Sequence, residues 1–216
     1  MGVLVFANGV IEDVDWIRPF LEKAEAVVTA DGGSNHLAKL GVRPDVVVGD
    51  LDSMDSDLHD AWKSAGTIVV RYPAEKDETD LELALLYAVR HYAGDIQVMG
   101  ALGGRLDQTL ANILLLAHPA FAGRRVELVE PYQRAWLVRE RTEIVGRPGD
   151  TVSLVPLGGD VQIGRTTNLK WKLQAETLRF GPARGISNVM LGERATVEVE
   201  RGTLLCVHLE GGERSE

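Results

Sequence analysis

Val46-Val47-Val48-Gly49-Asp50-Leu51-Asp52-Ser53 is an apolar run that breaks into an acidic turn, and its reading decides the fold. Consecutive β-branched residues suit a short strand covered on both faces. The same construction recurs through the first half of the chain. Residues 26–30 run into Ala30-Asp31-Gly32-Gly33, residues 67–71 precede Lys76-Asp77-Glu78-Thr79-Asp80, and residues 96–99 precede Gly103-Gly104-Arg105-Leu106-Asp107-Gln108. Residues 3–7 and 126–129 read as further strands.

Between these runs, residues 16–24, 34–40, 58–65, 80–92 and 107–117 carry helical periodicity. Strand and helix in alternation predict an α/β unit, a mostly parallel sheet with helices on both faces. Right-handed crossovers then place every strand-to-helix turn at the carboxyl edge. Thr79-Asp80-Leu81-Glu82 is a capping-box pattern, with Thr79 as N-cap, Glu82 reaching back and Asp80 near the positive end of the helix dipole.

After Pro131 the pattern changes to short alternating runs at 135–138, 142–145, 151–155, 178–180, 195–200 and 203–209, separated by Gly- and Pro-bearing turns. That spacing predicts an all-β unit, a sandwich or barrel. The expected domains are 1–132, an α/β unit, and 133–216, the β unit.

A chain of 216 residues can bury a real core. The net charge of -9 argues against non-specific nucleic-acid binding, which needs a basic surface, but not against a phosphate ligand in one cleft. Cys206 is the only cysteine and lies in an apolar run, so it reads as a buried strand thiol, and the composition suits a reducing, cytoplasmic compartment. Met1–Ala7 reads as a first buried strand rather than a signal peptide, and no run approaches membrane-spanning length.

Carboxylates gathered on one sheet edge repel each other unless a cation sits among them. Asp50 and Asp52, two apart at a strand end, point to the same side and suit Mg²⁺; Asp80 and Asp107 come from neighbouring turns and can complete the cluster. A single Asp after a strand is often only a turn residue or helix cap; four such turns in succession read as a metal-assisted phosphate site. Gly32-Gly33 and Gly103-Gly104 permit close backbone approach before helix N-termini, and Lys76 and Arg105 supply cations. The P-loop and dinucleotide fingerprints are missing, and the five histidines show no zinc spacing.

Taken in order, Ala30-Asp31-Gly32-Gly33-Ser34-Asn35, Gly49-Asp50-Leu51-Asp52-Ser53, Asp77-Glu78-Thr79-Asp80 and Gly103-Gly104-Arg105-Leu106-Asp107-Gln108 resemble the thiamine pyrophosphokinase family. Thr166-Thr167-Asn168-Leu169-Lys170-Trp171-Lys172-Leu173 and Gly185-Ile186-Ser187-Asn188 are similar to that family's Lys-Trp and Ser-Asn segments, with Asn168 where Gly is frequent and Val189 where an acid is frequent. The resemblance implies an ATP:thiamine pyrophosphotransferase that is a homodimer, with an α/β nucleotide-binding catalytic domain, a thiamine-binding and dimerising β-sandwich, and a thiamine site between subunits. It implies Mg²⁺ on Asp50, Asp52 and Asp80, and nucleotide contacts from Asp31, Arg105, Asp107 and Gln108; Gly32, Gly33, Lys76, Thr79 and Gly103 complete the expected nucleotide site. It further implies thiamine contacts from Trp171, Ser187 and Asn188. A flat indole suits a cationic thiazolium or a stacked pyrimidine. Asp77 and Asp107 are alternative acceptors of the hydroxyl proton. Rival readings are a pyrophosphokinase for another hydroxymethyl heterocycle, such as a pterin, and a non-catalytic nucleotide- or thiamine-binding protein.

Overall fold

In the computed structural model, which describes residues 2–51 and 56–211, the chain divides into two compact units between Glu130 and Pro131. The first holds β1 (Gly2–Phe6), β2 (Ala24–Ala30), β3 (Val46–Gly49), β4 (Ile68–Arg71), β5 (Ile96–Met99) and β6 (Val126–Glu130). These pair in the order β6-β5-β1-β2-β3-β4, all parallel, so every strand ends at one edge. The chain runs outward from β1 to β4 and then returns to the other side of β1 for β5. The turns after β1 and β5 therefore diverge, which opens a crevice at the topological switch point.

The helices are α1 (Arg18–Leu21), α2 (Ser34–Leu40), α3 (Ser56–Ser64), α4 (Asp80–His91) and α5 (Leu106–Leu115). One face of the sheet, presenting Leu4, Phe6, Val27, Val47 and Met99, buries Leu37 and Leu40 of α2 and Trp62 of α3. The alternate residues Val3, Val5, Val28, Val46 and Val48 are also fully buried, and α4 packs over β1, β2 and β3 with Leu81, Ala84, Leu85 and Ala88 turned inward. Burial on both faces explains why these strands read as unbroken apolar runs.

Two local expectations change. Residues 16–24 form a 3₁₀ turn at Asp15–Ile17 and the single turn α1, because Ala24 is taken up by pairing with Gly2 at the start of β2. At the start of α4 the Glu82 N–H donates to Thr79 Oγ1 at 3.1 Å, but the Glu82 carboxylate faces His118, 3.8 Å away, instead of returning to the cap.

In the second unit, the described residues form β7 (Gln133–Val138), β8 (Arg141–Val145), β9 (Thr151–Pro156), β10 (Val161–Thr167), β11 (Gln174–Leu178), β12 (Asn188–Val189), β13 (Arg194–Arg201) and β14 (Leu204–Leu209). The antiparallel runs are β12-β9-β14-β7 and β11-β10-β13-β8. Trp136, Leu154 and Cys206 from the first share one apolar core with Ile144, Ile163 and Val197 from the second, which makes the unit a sandwich. The Cys206 side chain is fully buried in this core. The strand expected at 178–180 lies earlier, as β11; Phe180 leaves the ladder and donates its N–H to Asp160 Oδ1. Strand β10 escaped the sequence pattern because register shifts around Ile163 interrupt its two-residue period.

Candidate functional site

The carboxyl edge of the parallel sheet carries the acidic turns. Asp31 follows β2 with φ at +31°, a region that Asp tolerates better than most residues, and its carbonyl accepts the Ser34 hydroxyl at 2.5 Å. Gly49 closes β3 at φ +153°, and a Cβ there would stand 2.8 Å from Asp31 Cβ. Only glycine lets the end of β3 lie against the Asp31 turn, and this contact delivers Asp50 to Asp31. Asp80 arrives from the first residue of α4. Carboxylate oxygens of Asp31, Asp50 and Asp80 all lie within 4.8 Å of one another.

Lys76 is the cation of this group, its ammonium 2.8 Å from Asp80 Oδ1 with 11% of the side chain exposed. The hydrogen bond to Asp80 holds its pKa above the ordinary lysine value; burial opposes this, and the charges of Asp80, Asp50 and Asp31 add to it. The ammonium therefore stays protonated. Three carboxylates against one ammonium leave two negative charges, and hard oxygen donors carrying that excess fit Mg²⁺ or a similar divalent cation.

The cluster opens onto a cleft of about 960 Å³ lined also by Asn8, Gly9, Gly32, Thr79, Gly103, Arg105, Asp107 and Gln108. Its backbone walls are tied down from behind. The Gly9 N–H donates to the Gly100 carbonyl at 2.7 Å, which joins the turns after β1 and β5. His36 Nε2–H donates to the Gly9 carbonyl at 2.9 Å; burial holds this ring below the usual histidine pKa, so it is neutral. Asn112 Nδ2 donates to the Ala101 carbonyl at 2.7 Å and pins the turn between β5 and α5. At the rim, Arg105 grips Asp107 with Nε–Oδ1 at 3.1 Å and Nη2–Oδ2 at 2.6 Å. The Arg105 hydrogen bond and the Gln108 N–H hold the Asp107 carboxyl below the usual range, which makes it a poor proton acceptor.

Of the residues expected in the nucleotide half, Asp31, Gly32, Asp50, Lys76, Thr79, Asp80, Gly103, Arg105, Asp107 and Gln108 line the cleft. Asp31 stands with the metal candidates rather than apart from them. Gly33 lies beneath the wall, where a Cβ would run into the Phe6 carbonyl, and Asp77 is exposed and does not line the cleft. Asp52 lies outside the described residues. Sequence reasoning missed Asn8, Gly9, His36 and Asn112. The first two end an apolar strand, as the acidic turns do, and the same grammar applied there would have found them. The other two act across the fold and leave no local signal.

In the second unit, Trp171 is 55% exposed, with the Lys170 ammonium 4.7 Å from its ring centroid. Ser187 is exposed at φ +60°, and its N–H donates to Ser153 Oγ at 3.1 Å. Asn188 is buried with its carboxamide bonded to the main chain of Trp171. Asn168 has φ +54°, which explains why glycine suits this place and why Asn substitutes for it.

Residues 17–128 match the family model described as thiamin pyrophosphokinase, catalytic domain, and residues 139–204 match thiamin pyrophosphokinase, vitamin B1 binding domain. Thiamine pyrophosphokinase 1 of Arabidopsis thaliana is 29% identical over 216 residues, covering 88% of this chain and 80% of the relative. Thiamine pyrophosphokinase of Bacillus subtilis is 27% identical over 182 residues, covering 83% and 85%. Among solved structures, the Bacillus subtilis thiamine pyrophosphokinase superposes with a TM-score of 0.86 at 24% identity, over 98% of this chain and 100% of that one. Thiamin pyrophosphokinase from Candida albicans gives 0.82 at 19% identity, over 97% and 89%. At these identities the superpositions speak for the fold.

Proposed function

The chain belongs to the thiamine pyrophosphokinase family, and from that premise we propose that it moves a pyrophosphoryl group from ATP to the primary hydroxyl of thiamine, giving thiamine diphosphate and AMP. The observation that carries the reading is the Asp31–Asp50–Asp80 group with Lys76, set among glycine turns on a cleft roomy enough for a nucleotide. The second match, to a vitamin B1 binding domain, favours thiamine over a pterin alcohol.

In this reaction the thiamine oxygen bonds to the β-phosphorus, the bond from that phosphorus to the α-phosphate oxygen breaks, AMP leaves, and the hydroxyl proton is released. Chemistry of this kind depends mainly on positioning and on neutralising charge. Asp31, Asp50 and Asp80 would hold Mg²⁺, which when bound screens the phosphate oxygens and draws charge from them. Lys76, protonated beside Asp80, faces the same phosphates and offsets charge on the departing AMP. Arg105 lies at the rim, and phosphate oxygens would compete with Asp107 for its planar fork. The amides after Gly103, leading into α5, would present donors to the phosphates. Trp171 offers an exposed aromatic face to the cationic thiamine ring.

The same proposal takes the protein as a cytoplasmic homodimer. Dimerisation is assigned to the β unit, as the resemblance implies; the exposed leucines Leu106, Leu110 and Leu114, spaced four apart along α5, are an apolar stripe on the α/β unit that the second copy would cover in addition.

The test is incubation with ATP, Mg²⁺ and thiamine, assaying AMP and thiamine diphosphate, with a pterin alcohol in parallel. The Asp80→Asn variant should remain folded and lose AMP formation. Near-normal turnover in that variant, or product only from the pterin alcohol, would overturn the reading.

A further inference from the structure

Asn188 belongs to the Ser-Asn segment assigned to thiamine by resemblance, yet its side chain is turned inward. We infer that Asn188 is a positioning residue: it fixes the main chain of Trp171 and acts on thiamine only through that indole. The inference rests on the reading of Trp171 as the thiamine platform.

The side chain of Asn188 is almost fully spent within the protein. Its Oδ1 accepts the N–H of Trp171 at 3.0 Å and that of Val189 at 2.9 Å, while its Nδ2 donates to the Trp171 carbonyl at 2.6 Å. Two amide donors can be met only by oxygen, so they fix which way the carboxamide points. One amide hydrogen is left over, on a residue 6% exposed. Bonding both the N–H and the carbonyl of one residue reproduces what a neighbouring strand would do. Trp171 needs such a substitute because it lies in the gap between the end of β10 at Thr167 and the start of β11 at Gln174.

The surrounding backbone is arranged for this contact. The Lys170 N–H donates to the Val189 carbonyl at 2.9 Å, and Leu169 bridges to Met190. Left-handed residues turn both segments, Asn168 at φ +54° and Ser187 at φ +60°. The Trp171 ring, by contrast, is more than half exposed, so core packing does not hold it. Its place depends on a fixed main chain, and Asn188 is the side chain that fixes it.

The experiment uses the full chain with Asn188→Ala, Asn188→Asp, Trp171→Ala and the double variant Trp171→Ala/Asn188→Ala. Asn188→Asp keeps both acceptor bonds but sets an oxygen against the Trp171 carbonyl, so it carries the comparison if Asn188→Ala does not fold. Trp171 emission is isolated by subtracting a Trp171→Phe counterpart of each protein. In both Asn188 variants this emission should shift and become more easily quenched by acrylamide. The KM for thiamine should rise about tenfold or more, the scale of one or two buried hydrogen bonds lost, while the KM for ATP holds. In the double variant Asn188→Ala should add little to Trp171→Ala. Unchanged Trp171 emission in the Asn188 variants would overturn the inference, as would losses that multiply in the double variant, the mark of a direct contact with thiamine. Altered emission with an unmoved thiamine KM in every variant would leave the positioning role standing and instead overturn Trp171 as the thiamine platform.

Discussion

Lys76 and Asp80 lie one helical turn apart in sequence and meet at 2.8 Å, with the lysine side chain only 11% exposed. The pair puts a permanent positive charge inside a group of carboxylates that must also accept a divalent cation. The ammonium therefore plays two opposed parts: it attracts phosphate and weakens the metal.

Replacing Lys76 by Met separates those parts. Turnover should fall about a hundredfold, the usual loss when one fixed charge at a transition state is removed. The Mg²⁺ concentration for half-maximal activity should fall as well, because three carboxylates are left without their internal cation. Metal titration of AMP release checks both, and a higher Mg²⁺ requirement would contradict the assignment.

Gly49→Ala adds a Cβ that would stand 2.8 Å from Asp31 Cβ, at φ +153°, where side chains are rarely tolerated. Stability should drop by about 1–3 kcal/mol, as for overpacking elsewhere. Because the displaced neighbour is Asp31, the Mg²⁺ requirement should rise in the same variant. Chemical denaturation and metal titration together separate this from general damage.

Glu130 closes β6, and burial pushes its carboxyl up to about 7, against a hydrogen bond from the Leu102 amide that lowers it. A folded-state pKa above the unfolded value means that the native protein holds the extra proton between about 4.5 and 7, so this group takes stability away as pH rises through that window. Glu130→Gln keeps an acceptor for Leu102 and cannot ionise. Its stability relative to the parent protein should therefore improve from pH 5 to pH 8, measured by urea unfolding at both. A constant difference would show that Glu130 ionises normally.

The side chains of Arg105 and Asp107 are 73% and 66% exposed, so their ion pair contributes little to folding. Arg105→Ala should leave the melting temperature unchanged and raise the KM for ATP about tenfold, one charged hydrogen-bonding contact in affinity terms. A lowered melting temperature with unchanged KM would make the pair structural.

The parallel sheet was legible because strands covered on both faces leave unbroken apolar runs, as Val46-Val47-Val48 does. Strand β10 was not, because register shifts around Ile163 disrupt its alternation, and residues 16–24 kept helical spacing although pairing with Gly2 claims Ala24. Lys76, Asp80 and the Thr79 cap were readable as neighbours in one turn.

By itself the sequence determined which turns are acidic, which strands they follow and, through parallel alternation, that Asp31, Asp50, Asp80 and Asp107 share one edge. Those are consequences of local periodicity and chain direction. Only the tertiary structure decided that Asp31 joins Asp50 and Asp80 while Asp107 goes to Arg105, since that depends on how closely Gly49 lets two turns approach. It likewise turned Asn188 inward to the backbone of Trp171, a bond between residues seventeen apart that no spacing announces.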